Sequence, residues 1–147
     1  MSTTAQRIKT MRALVAGAQS RSGGRAFKDV DQELQEVGWS HQVSPDRRRH
    51  LLQVFHGMRA LESGLKEVLR SYDIDPGKTL GDVLHKLRTL KPAHPLHQEA
   101  SQLHRLLRFL LHERNRLMHQ ANAFPRGAKE ADRIFGEICA CFTRLVK

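Results

Sequence analysis

The sequence predicts an all-α protein: an antiparallel bundle of four to five helices with an N-terminal helical extension. Three observations lead there. Leu, Ala, Arg and Gln are abundant while Val and Ile are few, a balance that favours helix over sheet. Apolar residues recur at spacings of three and four along most of the 147 residues, and no stretch reads as a convincing strand. Gly and Pro cluster between these periodic runs, where chain reversals belong.

The elements follow in order. Residues 4 to 18 place Ile8, Met11, Leu14 and Val15 at helical spacing, with Arg7, Lys9 and Arg12 mostly on the other side. Ser20 to Arg25 break that helix. A shorter helix over 28 to 37 aligns Val30, Leu34 and Val37, and Gly38 is expected to end it. Ser44 is a candidate cap, Pro45 suits a first helical turn, and Asp46 complements the helix dipole. From there apolar residues run from Leu51 to Leu69, predicting a long helix over 45 to 72 that stops at Asp73 to Lys78. Thr79 opens a short helix through Leu80, Val83, Leu84, Leu87 and Leu90, which must stop before Lys91-Pro92. A second long helix is expected over 95 to 121, ended by Phe124-Pro125, and a last one over 128 to 146. Residues 1–40 form the helical extension in this reading, and 41–147 form the bundle.

Charge speaks to partners and not to fold. Lys and Arg number 25 against 15 Asp and Glu, a formal net charge of +10. A surplus of that size suits a polyanion, of which nucleic acid is the commonest; a basic protein without such a partner is the alternative. With one Trp and one Tyr, base-stacking platforms are not expected. The two cysteines, Cys139 and Cys141, point about 200° apart on a helix, so they neither pair nor share a metal, and a reducing cytoplasmic setting is expected. The first twenty residues lack the apolar core of a signal peptide, although 5 to 16 could serve as a basic amphipathic targeting segment. No run approaches a membrane span. Nine histidines raise the question of metal, but those on the second long helix that lie seven apart are ~10 Å from one another, and no HExxH occurs. No metal and no cofactor are expected.

The second long helix carries the chemistry. Leu103, Leu107, Leu110, Leu117 and Ala121 form its apolar seam, and Arg114 occupies the missing place. An arginine in such a seam requires a partner, an interface or a cleft. Beside it runs a polar stripe: Arg108, His112, Asn115 and His119. Imidazole is the side chain best suited to move protons near neutral pH. A guanidinium holds phosphate and stabilises charge developing on its oxygens, and an amide orients either. Arg114 and His119 diverge by about 140° on an ideal helix, which argues for a site completed by a second copy. Arg47, Arg48 and Arg49, opening the first long helix, are candidates for phosphate contacts. The plainer alternatives are an ion pair of Arg114 within the bundle, a helix-end role for His119, and a solvated basic turn at 47 to 49.

Arg114-Asn115-Arg116-Leu117-Met118-His119 resembles the Arg, polar residue, three residues, His motif of the HEPN superfamily, near the end of a long helix that precedes the final one. The resemblance spans residues 45 to 146. It implies a metal-independent endoribonuclease, a toxin or phage-defence effector, with Arg114, Asn115 and His119 catalytic. RNA would be contacted by Arg108, His112 and Arg116 and by Arg47, Arg48 and Arg49. It further implies a homodimer with both motifs facing one cleft, products with 2′,3′-cyclic phosphate ends, and no metal. Some members of that superfamily are non-catalytic modules that bind RNA, nucleotide or protein. The chain departs from the toxins silenced by nucleotidyltransferase antitoxins, which carry a tyrosine where Ala121 stands. A different antitoxin or an activating partner remains open.

Overall fold

The computed structural model of the chain describes residues 3–22, 27–120 and 123–146. Among these, the regular elements are all helical: α1 (Thr4–Ser22), α2 (Lys28–Trp39), a single 3-10 turn (Ser40–Gln42), α3 (Asp46–Ser71), α4 (Leu80–Arg88), α5 (His97–His119) and α6 (Ala128–Leu145). None of the helices is long and apolar enough to cross a membrane.

Local chemistry accounts for most of the boundaries. α2 begins with Asp29 and Asp31 in its first turn, favourable against the positive helix end. Gly38 does not stop it; the helix continues to Trp39 and tightens into the 3-10 turn. Ser44 does not cap α3. Pro45 takes the cap position with extended backbone (φ −72°, ψ 170°) and no side-chain hydrogen bond, so Asp46 becomes the first helical residue and closes an ion pair with Arg49 at 2.7 Å. α3 ends in a Schellman arrangement: the Ile74 N–H donates to Leu69 O at 3.0 Å and the Asp73 N–H to Arg70 O at 2.9 Å. Asp73 accepts the left-handed conformation this requires, at φ 59°. α4 starts with a capping box in which Thr79 accepts from the Asp82 N–H while the Asp82 carboxylate accepts from the Thr79 N–H. The Thr79 N–H, with the Lys78 N–H, holds the Asp82 carboxyl below its ordinary range. The carboxylate occupies the space a Cβ on Gly77 would need, and Gly77 itself sits at φ +77°. α5 ends at His119, where Gln120 turns extended. Ala121, expected to continue its seam, lies outside the described residues, as do 23 to 25 of the break expected from Ser20; α1 runs past the start of that break, to Ser22.

Three of the long helices, α3, α5 and α6, alternate in direction. Arg116 near the end of α5 pairs with Glu130 near the start of α6, and Arg144 near the end of α6 donates to Glu99 near the start of α5 at 2.7 Å. α5 and α6 are therefore antiparallel. α3 and α6 run parallel: Gln53, Gly57 and Gly64 meet Asp132, Phe135 and Phe142 in the same order. The approach is close because two glycines lie in α3. A Cβ at Gly57 would stand 2.9 Å from the Phe135 ring, and one at Gly64 3.1 Å from the Phe142 ring.

α1 and α2 pack across this frame. Met11, Val15, Val30, Leu34 and Val37 join one continuous core with Leu61, Leu65, Leu110, Phe135 and Phe142. The buried Gln53 amide reaches Thr4 of α1 and Asp132 of α6 at 3.4 and 3.2 Å. Arg12 on α1 binds Asp31 on α2 at 2.8 Å.

Candidate functional site

α3 and α5 line a cavity of about 360 Å³. The two helices build it from matching patterns. Leu51, Phe55, Met58, Leu65 and Leu69 repeat on α3 at steps of four and three, and Glu62 holds the one remaining place in that row. On α5, Leu103, Leu107, Leu110 and Leu117 are buried and Arg114 holds the remaining place. Each helix thus carries one charge in an apolar row, of opposite sign, and the cavity lies where the two meet. Phe55, Met58, Leu117 and Met118 form its apolar wall; Arg59, Glu62, Lys66 and Arg114 supply its charge.

Glu62 is shared between two cations. Its Oε1 stands 3.1 Å from Lys66 Nζ, and its Oε2 stands 3.6 Å from an Arg114 Nη2. The second separation is well beyond that of a strong charge-assisted hydrogen bond, about 2.7–2.9 Å. Arg114 keeps 28% of its side-chain exposure, and its other terminal nitrogen donates to Asn115 Oδ1 at 3.4 Å. A guanidinium so loosely held retains donors for an anion. Arg59 is anchored from the far side by Glu33 at 3.0 Å, a carboxylate that also contacts His56 Nδ1 at 2.7 Å.

Arg114 and Asn115 are therefore together, and Arg114 is the expected site residue that lines the cavity. His119 is not joined to either by a hydrogen bond; it is exposed at the last position of α5. Arg108, His112, Asn115 and His119 do form one exposed stripe on α5. Arg116 is held by Glu113 at 2.8 Å and by Glu130 at 3.4 Å. At the start of α3, Arg47 and Arg48 are exposed, and Arg47 stands over the Phe124 ring with its guanidinium carbon 5.0 Å from the centroid. That contact sets the 47–49 turn against the loop that follows His119.

Glu62, Arg59 and Lys66 were not among the residues expected from sequence. For Glu62 the signal was present, since a charge in the apolar row of α3 is the same irregularity that marks Arg114. For Arg59 and Lys66 there was none, because exposed basic residues on a helix are ordinary.

The cysteines have no comparable role. Both are free; burial pushes the Cys141 thiol up to about 12 and raises that of Cys139, so neither forms a reactive thiolate. Among the described residues, no group of three His, Cys, Asp or Glu side chains is placed to hold a metal ion. No protein-family model matches the chain, and neither a curated protein nor a solved structure matches it.

Proposed function

We propose that the protein is a HEPN-like, metal-independent endoribonuclease in which Arg114, Asn115 and His119 act on the scissile phosphodiester. The observation that carries this reading is the setting of Arg114. It replaces an apolar residue on the wall of a cavity, is half-buried, and has a carboxylate no closer than 3.6 Å. Such a side chain is costly to place unless it receives an anion.

In this mechanism Arg114 binds the non-bridging phosphate oxygens, and Asn115, hydrogen-bonded to it, helps orient it. A histidine accepts the proton of the ribose 2′-hydroxyl, and the 2′-oxygen attacks phosphorus. The bond to the 5′-oxygen breaks and the imidazolium returns its proton to that oxygen, giving 2′,3′-cyclic phosphate and 5′-hydroxyl ends. The separation of His119 from Arg114 around α5 is met by a homodimer in which one copy supplies the histidine to the other's arginine. The exposed Met118, beside both, lies on the surface such a dimer would cover. An activity of this kind in a cell needs restraint, as in a toxin with its antitoxin or a defence effector with its activator.

A second reading has its own observation. The Arg114–Glu62 contact also fits a bundle whose charged pair only positions helices, in a non-catalytic module that binds RNA, nucleotide or protein. One experiment separates the two. Purified protein is incubated with labelled RNA in excess EDTA beside a His119→Ala control. Cleavage by the wild type alone, with cyclic phosphate ends, supports the nuclease. Cleavage only after divalent metal is added, or equal cleavage by His119→Ala, refutes it.

A further inference from the structure

Residues 113 and 116 leave α5 on the side away from the Arg114 cavity, and there α5 meets α6 in a depression of about 540 Å³. Every residue lining it is charged: Glu113, Arg116, Arg126, Lys129, Glu130 and Arg133. The two signs sit at different depths. Glu113 and Glu130 keep only 14% and 20% side-chain exposure, and both are engaged by Arg116. The Arg126 side chain is 94% exposed, its guanidinium 3.8 Å from Glu130 while its backbone N–H donates to that carboxylate at 3.1 Å, and Lys129 and Arg133 are exposed as well. The carboxylates therefore form a floor that fixes Arg116, while the cations stand at the rim. Arg133 is steadied over the Phe109 ring, 5.3 Å from its centroid, and it borders a second shallow depression that reaches Arg105. From Arg105 to Arg116 the helix rises about 16 Å, enough to meet several phosphates of one strand.

We infer that this α5–α6 face is a track for the phosphodiester backbone of single-stranded RNA. This rests on the nuclease reading for its choice of RNA over another polyanion. The track adjoins the exposed stripe of Arg108, His112, Asn115 and His119 on the same helix, so a strand lying along it is delivered to His119, where the proposed homodimer brings the other copy's Arg114. Guanidinium groups dominate it, and their forks match phosphate oxygens. The single aromatic ring in its lining, Phe109, lies under Arg133, so the bases go unread and binding is set by charge.

The test uses full-length protein carrying His119→Ala, so that binding is read without cleavage, and a fluorescent oligouridylate followed by anisotropy over a salt series. Arg126→Ala/Lys129→Ala/Arg133→Ala should weaken binding at least tenfold and reduce the slope of log affinity against log salt by about 2. A control of equal charge loss on other surfaces, Lys28→Ala/Lys78→Ala/Arg88→Ala, should cost no more than about threefold. Should the triple variant lose its helical circular dichroism, Lys129→Glu, at an exposed first-turn position, is read alone and should weaken binding several-fold and reduce the slope by about 0.7. Equal losses in track and control variants overturn the inference, as does an unchanged affinity. Polyglutamate of matched length displacing the oligouridylate as well as unlabelled oligouridylate does would overturn the choice of RNA in favour of an acidic protein. Cleavage is scored separately in the His119-bearing protein. A track variant that cuts and binds normally refutes the track alone; a wild type that binds through the track yet never cuts refutes the nuclease alone.

Discussion

Glu62 and Arg114 occupy equivalent places in two apolar rows, one on α3 and one on α5, and their charged ends stand 3.6 Å apart. In the proposed nuclease, the carboxylate would compete with the substrate phosphate for the guanidinium. Glu62→Gln is expected to lower KM for RNA several-fold with kcat little changed, since the competition is felt on binding. Arg114→Ala is expected to lower kcat/KM at least a hundredfold, the range for loss of one charge-stabilising group. Its thermal unfolding should shift little, because the side chain is only half-buried. An Arg114→Ala protein that fails to fold would assign the residue to the bundle.

A site shared across a twofold axis has a distinctive genetic signature. Arg114→Ala and His119→Ala proteins should each be inactive, yet mixing them after subunit exchange should restore roughly a quarter of wild-type activity. Half of the dimers are then mixed, and each holds one site with both residues intact. Intramolecular sites give no restoration at all, and sedimentation of the mixture shows whether dimers are present to exchange.

The parallel contact of α3 and α6 leaves no room for a methyl group. Gly57→Ala places a carbon 2.9 Å from Phe135, a side chain with no solvent exposure into which it could retreat. Alanine gains about 1 kcal/mol of helix propensity, but overpacking costs up to about 3 kcal/mol. Denaturant titration should show a net loss of roughly 1–2 kcal/mol; an equally stable variant would mean that α6 can shift.

Two carboxyls give pH responses of opposite sign. Hydrogen bonding from Arg12 holds Asp31 below its ordinary range, so its contribution is present above that range and is lost as pH falls through the depressed value. Asp31→Asn should cost about 1 kcal/mol or less at pH 7, as expected for a partly exposed pair, and that cost should vanish as the pH falls through the depressed value. Burial raises Glu137, whose buried Oε2 has no hydrogen-bond partner, and nearby Glu113 adds to that rise while Arg133 opposes it. The fold therefore loses stability as pH climbs through the raised value, and Glu137→Gln should gain on the wild type over that interval. Melting curves from pH 3 to 8 on both variants read the two effects.

The helices were legible because leucine spacing and proline stops are local signals. The long helix expected over 45 to 72 is Asp46–Ser71, and the one over 128 to 146 is Ala128–Leu145. Ser44 failed as a cap because Pro45 took the position, a competition between neighbours that composition does not rank. Arg114 stood out as a charge in an apolar row, while its partner Glu62 needed the crossing of α3 and α5 to be known. The offset of His119 followed from helix geometry alone; the all-charged lining between α5 and α6 did not, since its residues are split between two helices and the turn before α6.

The seating of α6 has a consequence for the order in which the molecule can be completed. α6 touches α1, α3 and α5, and it brings Asp132 to Thr4 and Gln53. During synthesis, the helix bearing Arg114 and His119 leaves the ribosome while Gly57 and Gly64 of α3 still lack Phe135 and Phe142 packed against them. In the proposed nuclease, the activity carried by α5 would wait on the emergence of α6, and a chain truncated before α6 should be inactive.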